Sequence, residues 1–341
     1  MTSSRGMIVL KRLAQAIPTL FGVIVVTFIL TRALPGDPAA YFAGPAATPE
    51  SIAQVRAALG LDKPLAAQFL RYLQDLATGD LGQSISTGQT VLSDIVTRLP
   101  ASLELTLSAL ALSVAIAVPL GILAATRQGT FIDHLCRVVV TAGVSLPVFF
   151  TGLALVYVFY YQLGLAPAPI GRLDFAYISP PPVTGFFVID ALLAGDAETA
   201  GAAFGQLILP AVTLAIFTLA PLARMTRAAM LQVLGSDFIR TARAAGLSRR
   251  QVLFSYAFRN ALLPVITTFG MVFSFALGAN VLVEKVFAWP GIGSYAVEAL
   301  VVSDYAAVQG FVLVMAILFV VVNLLIDLSY TLIDPRVGFD G

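Results

Sequence analysis

Apolar residues along this 341-residue chain gather in long runs rather than in the short periodic stripes of a soluble helix. Six of these runs reach roughly the 20 residues that an α-helix needs to cross a membrane. We predict six spanning helices, at about residues 9–30, 102–125, 138–163, 207–225, 261–283 and 308–331. The pattern therefore predicts an all-α integral membrane protein.

The composition agrees with this fold class. Hydrophobic residues make up 58% of the chain and charged residues only 11%, whereas soluble domains carry about 25% charged residues. The net charge of +1 gives no overall positive field, so we do not expect nucleic acid as a partner. Cys136 is the single cysteine and His134 the single histidine, which excludes an internal disulfide and a cysteine-rich metal site. We expect Cys136 to be a free or packed thiol.

The distribution of lysine and arginine sets the predicted orientation. Placing the N-terminus in the cytoplasm puts 13 of the 20 basic residues on that side, as the positive-inside rule requires. We therefore predict a multi-pass protein with both termini cytoplasmic. Its parts are a cytoplasmic N-terminus with the first span (1–30), an external helical segment (31–99) and a five-helix core (100–341). The core carries an external loop at 164–206 and a cytoplasmic loop at 226–260.

The external segment has helix signals of its own. Thr48, Pro49 and Glu50 are typical of a helix start, and Gly60 of a helix end. A second, amphipathic helix is predicted after Pro64. The pair forms an external helical cap, for which both a packing role and a gating or docking role remain open.

Catalytic motifs are absent from the sequence. It contains neither the phosphate-binding loop of ATPases nor a G-x-S-x-G nucleophile motif, so we predict a non-enzymatic chain without a cofactor or metal of its own. The candidate polar groups within the membrane are Glu104, Asn323 and Asp327, of which the last two share one helical face. Because Glu104 and Asp327 lie close to the membrane surfaces, we favour structural pairing over a proton relay.

A short basic stretch interrupts the apolar pattern at residues 236–264. It contains five arginines and one acid, Asp237. Charge of this density lies outside the lipid, on the cytoplasmic side. Ser236 is positioned to cap a helix over 237–245, and Gly246 to end that helix in a left-handed conformation.

A second helix start follows at once. Ser248 and Gln251 have the spacing of a capping box, and Leu247 and Val252 that of a hydrophobic staple. These signals predict two short helices held at a fixed angle.

The shape of this loop bears on its purpose. Phe238, Ile239 and Leu247 offer apolar anchors for a partner protein. A loop that only sets topology and touches anionic lipid needs positive charge but no caps. We therefore favour a protein-docking element over a topology signal.

The letters RTARAAG (240–246) and RNALLP (259–264) resemble the EAA loop of permease subunits in ATP-binding-cassette (ABC) importers, in the dipeptide, oligopeptide and nickel branch. Further stretches agree in order along nearly the whole chain: ALPGDPA (33–39), TGDLGQS (78–84), LPASLEL (99–105), SLPVFF (145–150), LILPAVTLA (207–215), VFAWPGIG (286–293) and DPR (334–336).

The resemblance implies a six-helix half-channel in a bacterial inner membrane. Its partners would be a second, related permease, two cytoplasmic ATPases that bind ATP and magnesium, and an external solute-binding protein. The EAA loop would be the coupling helix that contacts an ATPase. Carried over residue by residue, the contact falls on Phe238, Arg240, Arg243, Ala245, Gly246 and Leu247.

Two positions depart from the family pattern. Arg240 stands where the loop's glutamate would be, so no role of that glutamate is carried over. Gln206 stands where many relatives have histidine, near the predicted outer entrance.

The function implied by the resemblance is import of di- or oligopeptides by alternating access. Nickel chelates, glutathione and oligosaccharides are alternative cargoes. A proton-coupled secondary transporter and a membrane assembly or receptor subunit are the competing classes.

Overall fold

The computed structural model describes residues 2–33, 37–44 and 46–333. Within these ranges every regular element is helical, apart from one isolated bridge between Gln83 and Thr90. The α-helices, in chain order, are α1 (Thr2–Ala33), α2 (Pro38–Ala43), α3 (Pro49–Ala58), α4 (Leu65–Ala77), α5 (Val91–Thr126), α6 (Phe131–Gly143), α7 (Val148–Leu155), α8 (Phe187–Leu193), α9 (Ala197–Leu234), α10 (Asp237–Ala244), α11 (Arg249–Gln251), α12 (Arg259–Val286), α13 (Ile292–Val301) and α14 (Tyr305–Ile333).

Five helices in the described ranges are long and apolar enough to cross a membrane, which confirms the all-α membrane fold. These candidate spans are Ala14–Ala33, Val91–Thr126, Ala197–Leu234, Arg249–Val286 and Tyr305–Ser329. Arg249–Val286 is one continuous helix because the π-helical turns of Val252–Phe258 join α11 to α12.

The span predicted at 138–163 is present as a bent pair of helices, and counting that pair as one span gives the six spans that the sequence predicts. It consists of Phe131–Gly143 and Val148–Gln162, which meet at an angle of 96°. Pro147 stands at the break with an extended backbone (φ −57°, ψ 142°). Proline disfavours a helical conformation of the preceding residue, and its ring nitrogen donates no hydrogen bond. Hydropathy alone does not register such a break.

The loop predicted at 164–206 contains regular structure that the sequence analysis did not predict. Its second half is helical, because α8 begins at Phe187 and α9 already begins at Ala197. Asp196 caps α9 by accepting a hydrogen bond from the Thr199 amide at 2.9 Å. A capped helix continues beyond its apolar portion, and this explains why the apolar stretch marks too late a start.

Two compact units divide the chain. The first comprises Met1–Pro100 and Pro290–Val321. In it, α3 and α4 stand where the sequence predicts them, with Thr48 capping α3 and Gly60 at φ +68°. The apolar face of α4 packs on α1, where the ring centroid of Phe28 lies 5.1 Å from that of Phe69.

A buried carboxylate organises the remainder of the first unit. Asp304 accepts hydrogen bonds from the Ser84 hydroxyl at 2.7 Å and the Ser86 amide at 3.1 Å. Beside it lies a small apolar core made of Val91, Ile95, Tyr295, Ala299, Ala307 and Val308. The glycine-rich stretch before α5 is thereby tied to the turn between α13 and α14.

The second unit comprises Ala101–Trp289 and Val322–Gly341. Helix α9 is central to it and contacts α6, α7, α8 and α12. Small residues allow close helix approach: a Cβ added at Gly121 would lie 2.6 Å from Thr226 Cβ. Interfaces rich in small residues are typical of helices packed within membranes.

Candidate functional site

The basic loop is an ordered structure that begins directly after α9. Ser236 occupies the N-cap position of α10 with an extended backbone (φ −78°, ψ 156°). Its hydroxyl does not cap that helix, however, and donates instead to the Val233 carbonyl at 2.6 Å. The predicted role of Ser236 as a side-chain cap is therefore wrong: its hydroxyl donates to the last turn of α9 and accepts from no amide of α10.

Helix α10 is amphipathic, and its apolar side faces the protein itself. Ile239 is 0% exposed and Ala242 6% exposed, and both belong to a core cluster with Met230, Val252 and further residues of α9 and α12. Ile239 is therefore an internal anchor and not the partner-facing residue that the sequence suggested. Phe238, by contrast, is 45% exposed.

The end of α10 is locked by glycine. Gly246 has φ +78°, in the left-handed region that the sequence predicts. The Leu247 amide donates to the Ala242 carbonyl at 3.3 Å, and the Gly246 amide to the Arg243 carbonyl at 3.0 Å. These two bonds form a Schellman motif, which satisfies carbonyls that a helix end leaves unpaired.

The predicted capping box is present. The Gln251 amide donates to the Ser248 hydroxyl at 3.3 Å, and the Ser248 amide donates to Gln251 Oε1 at 3.1 Å. The helix that it starts is not a short second helix as expected. It is the beginning of the spanning helix Arg249–Val286, so the box couples the loop directly to a span.

The outer side of the loop is polar and cationic. Phe238, Arg240, Arg243, Ala245 and Gly246 are exposed, and Leu247 is half-buried. Asp237 pairs with Arg240, which leaves four arginines of this stretch, Arg243, Arg249, Arg250 and Arg259, without a salt-bridge partner among the described residues. A rigid surface of this kind suits recognition of an acidic or polar protein groove and offers no reactive pair for catalysis.

A cavity of about 670 Å³ lies against the loop. Its lining comes from α5, α9, α10 and the first turns of the spanning helix Arg249–Val286, and includes Thr126, Leu234, Arg243, Leu247, Arg249 and Leu253. Leu247 and Val252, the predicted staple residues, both border it.

Glu104 forms a buried ion pair in another part of the second unit. Its Oε2 lies 2.5 Å from Arg172 Nη2, and the two side chains are only 5% and 6% exposed. The Val188 amide donates to Glu104 Oε1 at 3.2 Å, and the Arg172 guanidinium lies 3.7 Å from the Phe187 ring centroid. Burial lowers the pKa of Arg172, although the Glu104 carboxylate opposes that effect. These contacts are a structural ion pair, which is the role that the sequence analysis favoured for Glu104.

Asp190 braces the same region. It accepts from the Thr184 amide and hydroxyl, both at 2.7 Å, and from the Gly185 amide at 2.9 Å. Burial by itself raises the pKa of Asp190, but these hydrogen bonds outweigh it and hold the pKa below its ordinary value. The loop before α8 is therefore fixed by an ionised carboxylate.

The sequence reasoning missed a buried polar cluster between α5 and α12. Glu284 Oε1 accepts from Ser102 Oγ at 2.5 Å and from Asn280 Nδ2 at 3.1 Å. Asn280 also donates to Thr106 Oγ1 at 3.2 Å, and all four residues are nearly inaccessible. The signal was available, because Asn280 and Glu284 are four residues apart on one face of an apolar helix.

Asn323 and Asp327 lie one turn apart on α14, as predicted, and both are half-buried. The structure does not bring them to Glu104, whose carboxylate bonds Arg172 and the Val188 amide. Among the described residues there is no group of three His, Cys, Asp or Glu side chains that could hold a metal.

Comparison with known proteins matches nearly the whole chain. Residues 117–339 match the family described as binding-protein-dependent transport system inner membrane component, and residues 7–106 match its N-terminal membrane component.

Individual relatives are similar over almost their full length. The probable D,D-dipeptide transport system permease protein DdpB of Escherichia coli K12 is 46% identical over 94% of both chains. The di/tripeptide transport system permease protein DppB of Pseudomonas aeruginosa is 43% identical over 96% of this chain and 97% of its own. The dipeptide transport system permease protein DppB of E. coli K12 is 40% identical over 96% and 98%. The chain therefore belongs to the family of binding-protein-dependent transport system inner membrane components.

Proposed function

We propose that this chain is the permease subunit of an ATP-driven importer that carries dipeptides or short oligopeptides by alternating access. The observation that carries the proposal is identity of 40–46% over at least 94% of the chain to permeases named for D,D-dipeptide, di/tripeptide and dipeptide transport. Nickel chelates, glutathione and oligosaccharides are the alternative substrates that the experiment must distinguish from a peptide.

Energy for transport must come from another subunit, since the sequence has no phosphate-binding loop. We propose that two ATPase subunits supply it and that one of them docks on the basic loop. The contact residues are Phe238, Arg240, Arg243, Ala245, Gly246 and Leu247. This assignment is supported by the exposed and cationic surface on which they lie, which is held in shape by the Schellman motif and the capping box.

The proposed orientation follows from the same docking. The loop and both termini lie in the cytoplasm, and residues 31–99 and the loop before α8 lie outside, where a solute-binding protein delivers the peptide. A second, related permease completes the channel. The division into a first span, an external segment and a five-helix core is kept as part of this proposal.

Reconstitution in proteoliposomes tests the function. With its partner subunits, the chain is expected to take up a labelled dipeptide only when ATP is inside and the binding protein outside, whether or not a protonophore is present. Uptake that persists without the ATPases and collapses with the protonophore would identify a secondary transporter instead. Mass spectrometry of solute bound to the purified complex distinguishes peptide from the other cargoes.

The docking surface has a separate test. Reversing the charge of Arg240 and Arg243 together to glutamate is expected to abolish co-purification of the ATPase and peptide-stimulated ATP hydrolysis. Arg259→Glu is the matched control, because Arg259 is exposed in the same basic stretch but outside the proposed contact. Equal loss in both variants would contradict the assignment of the contact.

A further inference from the structure

A second cavity, of about 260 Å³, lies between α5, α6 and α9 in the second unit. Its lining combines apolar side chains with three arginines: Leu120, Ala124, Val140, Arg137, Arg224 and Arg227. The proposed transport function assigns no role to this cavity. Its chemistry points to an amphipathic anion.

One of the arginines is already neutralised. Asp133 is 1% exposed and accepts two bonds of 2.8 Å from Arg227, through Nε and Nη2. It also accepts from the Gly129 amide at 3.1 Å. This bidentate pair fixes Arg227 in the wall of the cavity.

The other two arginines keep their charge available. Arg137 is 50% exposed and approaches Asp133 only at 3.7 Å. Arg224 is exposed and has no acidic partner within the part of the chain that the structure describes. The cavity thus presents two cationic groups to whatever occupies it.

The helix that contributes Arg137 also has an exposed apolar face, on the side turned away from the cavity. On α6, the helix that contributes Arg137, four large apolar side chains are strongly exposed: Phe131 at 78%, Leu135 at 49%, Val138 at 64% and Val139 at 54%. In a chain that crosses a membrane, such a surface meets acyl chains. Arg224 lies at the end of the apolar portion of α9, a position from which a long arginine side chain can reach toward lipid headgroups.

We propose that this cavity binds the phosphate of an anionic phospholipid between Arg137 and Arg224, with acyl-chain carbons against its apolar lining residues Leu120, Ala124 and Val140. Basic pockets between spanning helices on the cytoplasmic side are suited to such headgroups. An apolar helix of a partner subunit is disfavoured as the occupant, because it would bury two arginines without a counter-charge.

Native mass spectrometry of the complex with its partner subunits tests the proposal. Phosphatidylglycerol is expected to remain bound to the wild type and to bind about fivefold more weakly in Arg137→Gln or Arg224→Gln, and about 25-fold more weakly in the double variant. Arg127→Gln is the control, since Arg127 is exposed near the same helix ends but does not line the cavity. Unchanged affinity in the double variant, or an equal loss in the control, would overturn the proposal.

The single cysteine gives an independent readout, because Cys136 lines the cavity. Phosphatidylglycerol added to the delipidated complex is expected to slow maleimide modification of Cys136, whereas phosphatidylcholine and inorganic phosphate are not. Equal protection by inorganic phosphate would identify a general anion site and overturn the lipid proposal. Protection that survives complete delipidation would indicate a protein segment in the cavity, with the same consequence.

Discussion

Replacing Gly246 by alanine tests whether the shape of the basic loop matters for its function. Gly246 has φ +78°, and its amide and that of Leu247 make the two bonds of the Schellman motif. A Cβ added there meets no atom within 4 Å. The substitution therefore introduces no clash, and its whole effect is the backbone preference of an L-amino acid.

The magnitude follows from that preference. Holding a residue with a Cβ in the left-handed region costs about 1–2 kcal/mol. Because about 1.4 kcal/mol corresponds to a factor of ten, local opening of the loop is expected to become about 5–30 times more frequent in Gly246→Ala. Ile239 and Ala242 remain packed in the core, so the rest of the unit is expected to stay folded.

Gly235 provides a matched control at the other end of α10. It has φ −84°, and an added Cβ would lie 3.6 Å from the Leu231 carbonyl oxygen, which is an ordinary contact. Gly235→Ala should therefore be neutral or stabilise the loop by about 0.4–1 kcal/mol.

Two measurements on these variants decide the matter. Hydrogen exchange of the Leu247 amide is expected to accelerate about 5–30-fold in Gly246→Ala, and peptide-stimulated ATP hydrolysis in the reconstituted complex is expected to fall with it. In Gly235→Ala the exchange should be unchanged or slower, and ATP hydrolysis should be unchanged. Unaltered exchange at Leu247 would refute the role of the left-handed stop. Faster exchange with full ATPase stimulation would refute the need for a rigid loop.

Three further substitutions test other parts of the structure. Arg172→Met leaves the buried Glu104 carboxylate without its counter-charge and should lower the free energy of unfolding by about 3–5 kcal/mol. Adding Glu104→Gln should recover much of that loss, as measured by thermal unfolding. The pKa of Asp190 is lower in the folded state, so its stabilisation is present above about pH 4 and is lost as the pH falls through the folded pKa. The protection of the Thr184 amide, measured against its intrinsic exchange rate at each pH, should therefore fall below about pH 4 in the wild type, and Asp190→Asn should remove that dependence. Ser248→Ala should cost about 1 kcal/mol of local stability and speed exchange at the Gln251 amide about fivefold, whereas Ser248→Thr should retain most of the protection.

The sequence predicted the features that depend on neighbouring residues. The capping box at Ser248 and Gln251, the left-handed Gly246 and the cap at Thr48 all stand where their spacing predicts, because each forms within one or two helical turns. Ser236 is the exception. Its hydroxyl can accept from an amide in the first turn of α10 or donate to a carbonyl in the last turn of α9, and sequence spacing does not show which bond forms.

Features that depend on distant residues were harder to predict. Arg172 is 68 positions from Glu104, and Ser102 is 182 positions from Glu284. No local sequence pattern therefore predicts either pairing. The 96° break before α7 was missed because hydropathy averages over the proline that causes it. Ile239 was misassigned because an apolar residue next to exposed arginines looks the same whether it faces a partner or the core.

The charged residues of the second unit fall into two groups, one buried and hydrogen-bonded and one exposed on the basic loop. The difference matters for how a movement of the loop could reach the spanning helices. Glu104, Arg172 and Glu284 are buried and hydrogen-bonded, so moving any of them breaks bonds that water cannot replace. The loop arginines are exposed and free to exchange partners. Glu104 and the end of α5 are about 30 Å apart along one continuous helix, given 1.5 Å per residue. The buried charges therefore hold one end of the helices rigid, and Ile239 packs against α9 and α12 near the other end. If an ATPase displaces the loop as proposed above, this packing is the route by which the displacement would tilt the helices, and helix tilting is the movement that the proposed alternating access requires.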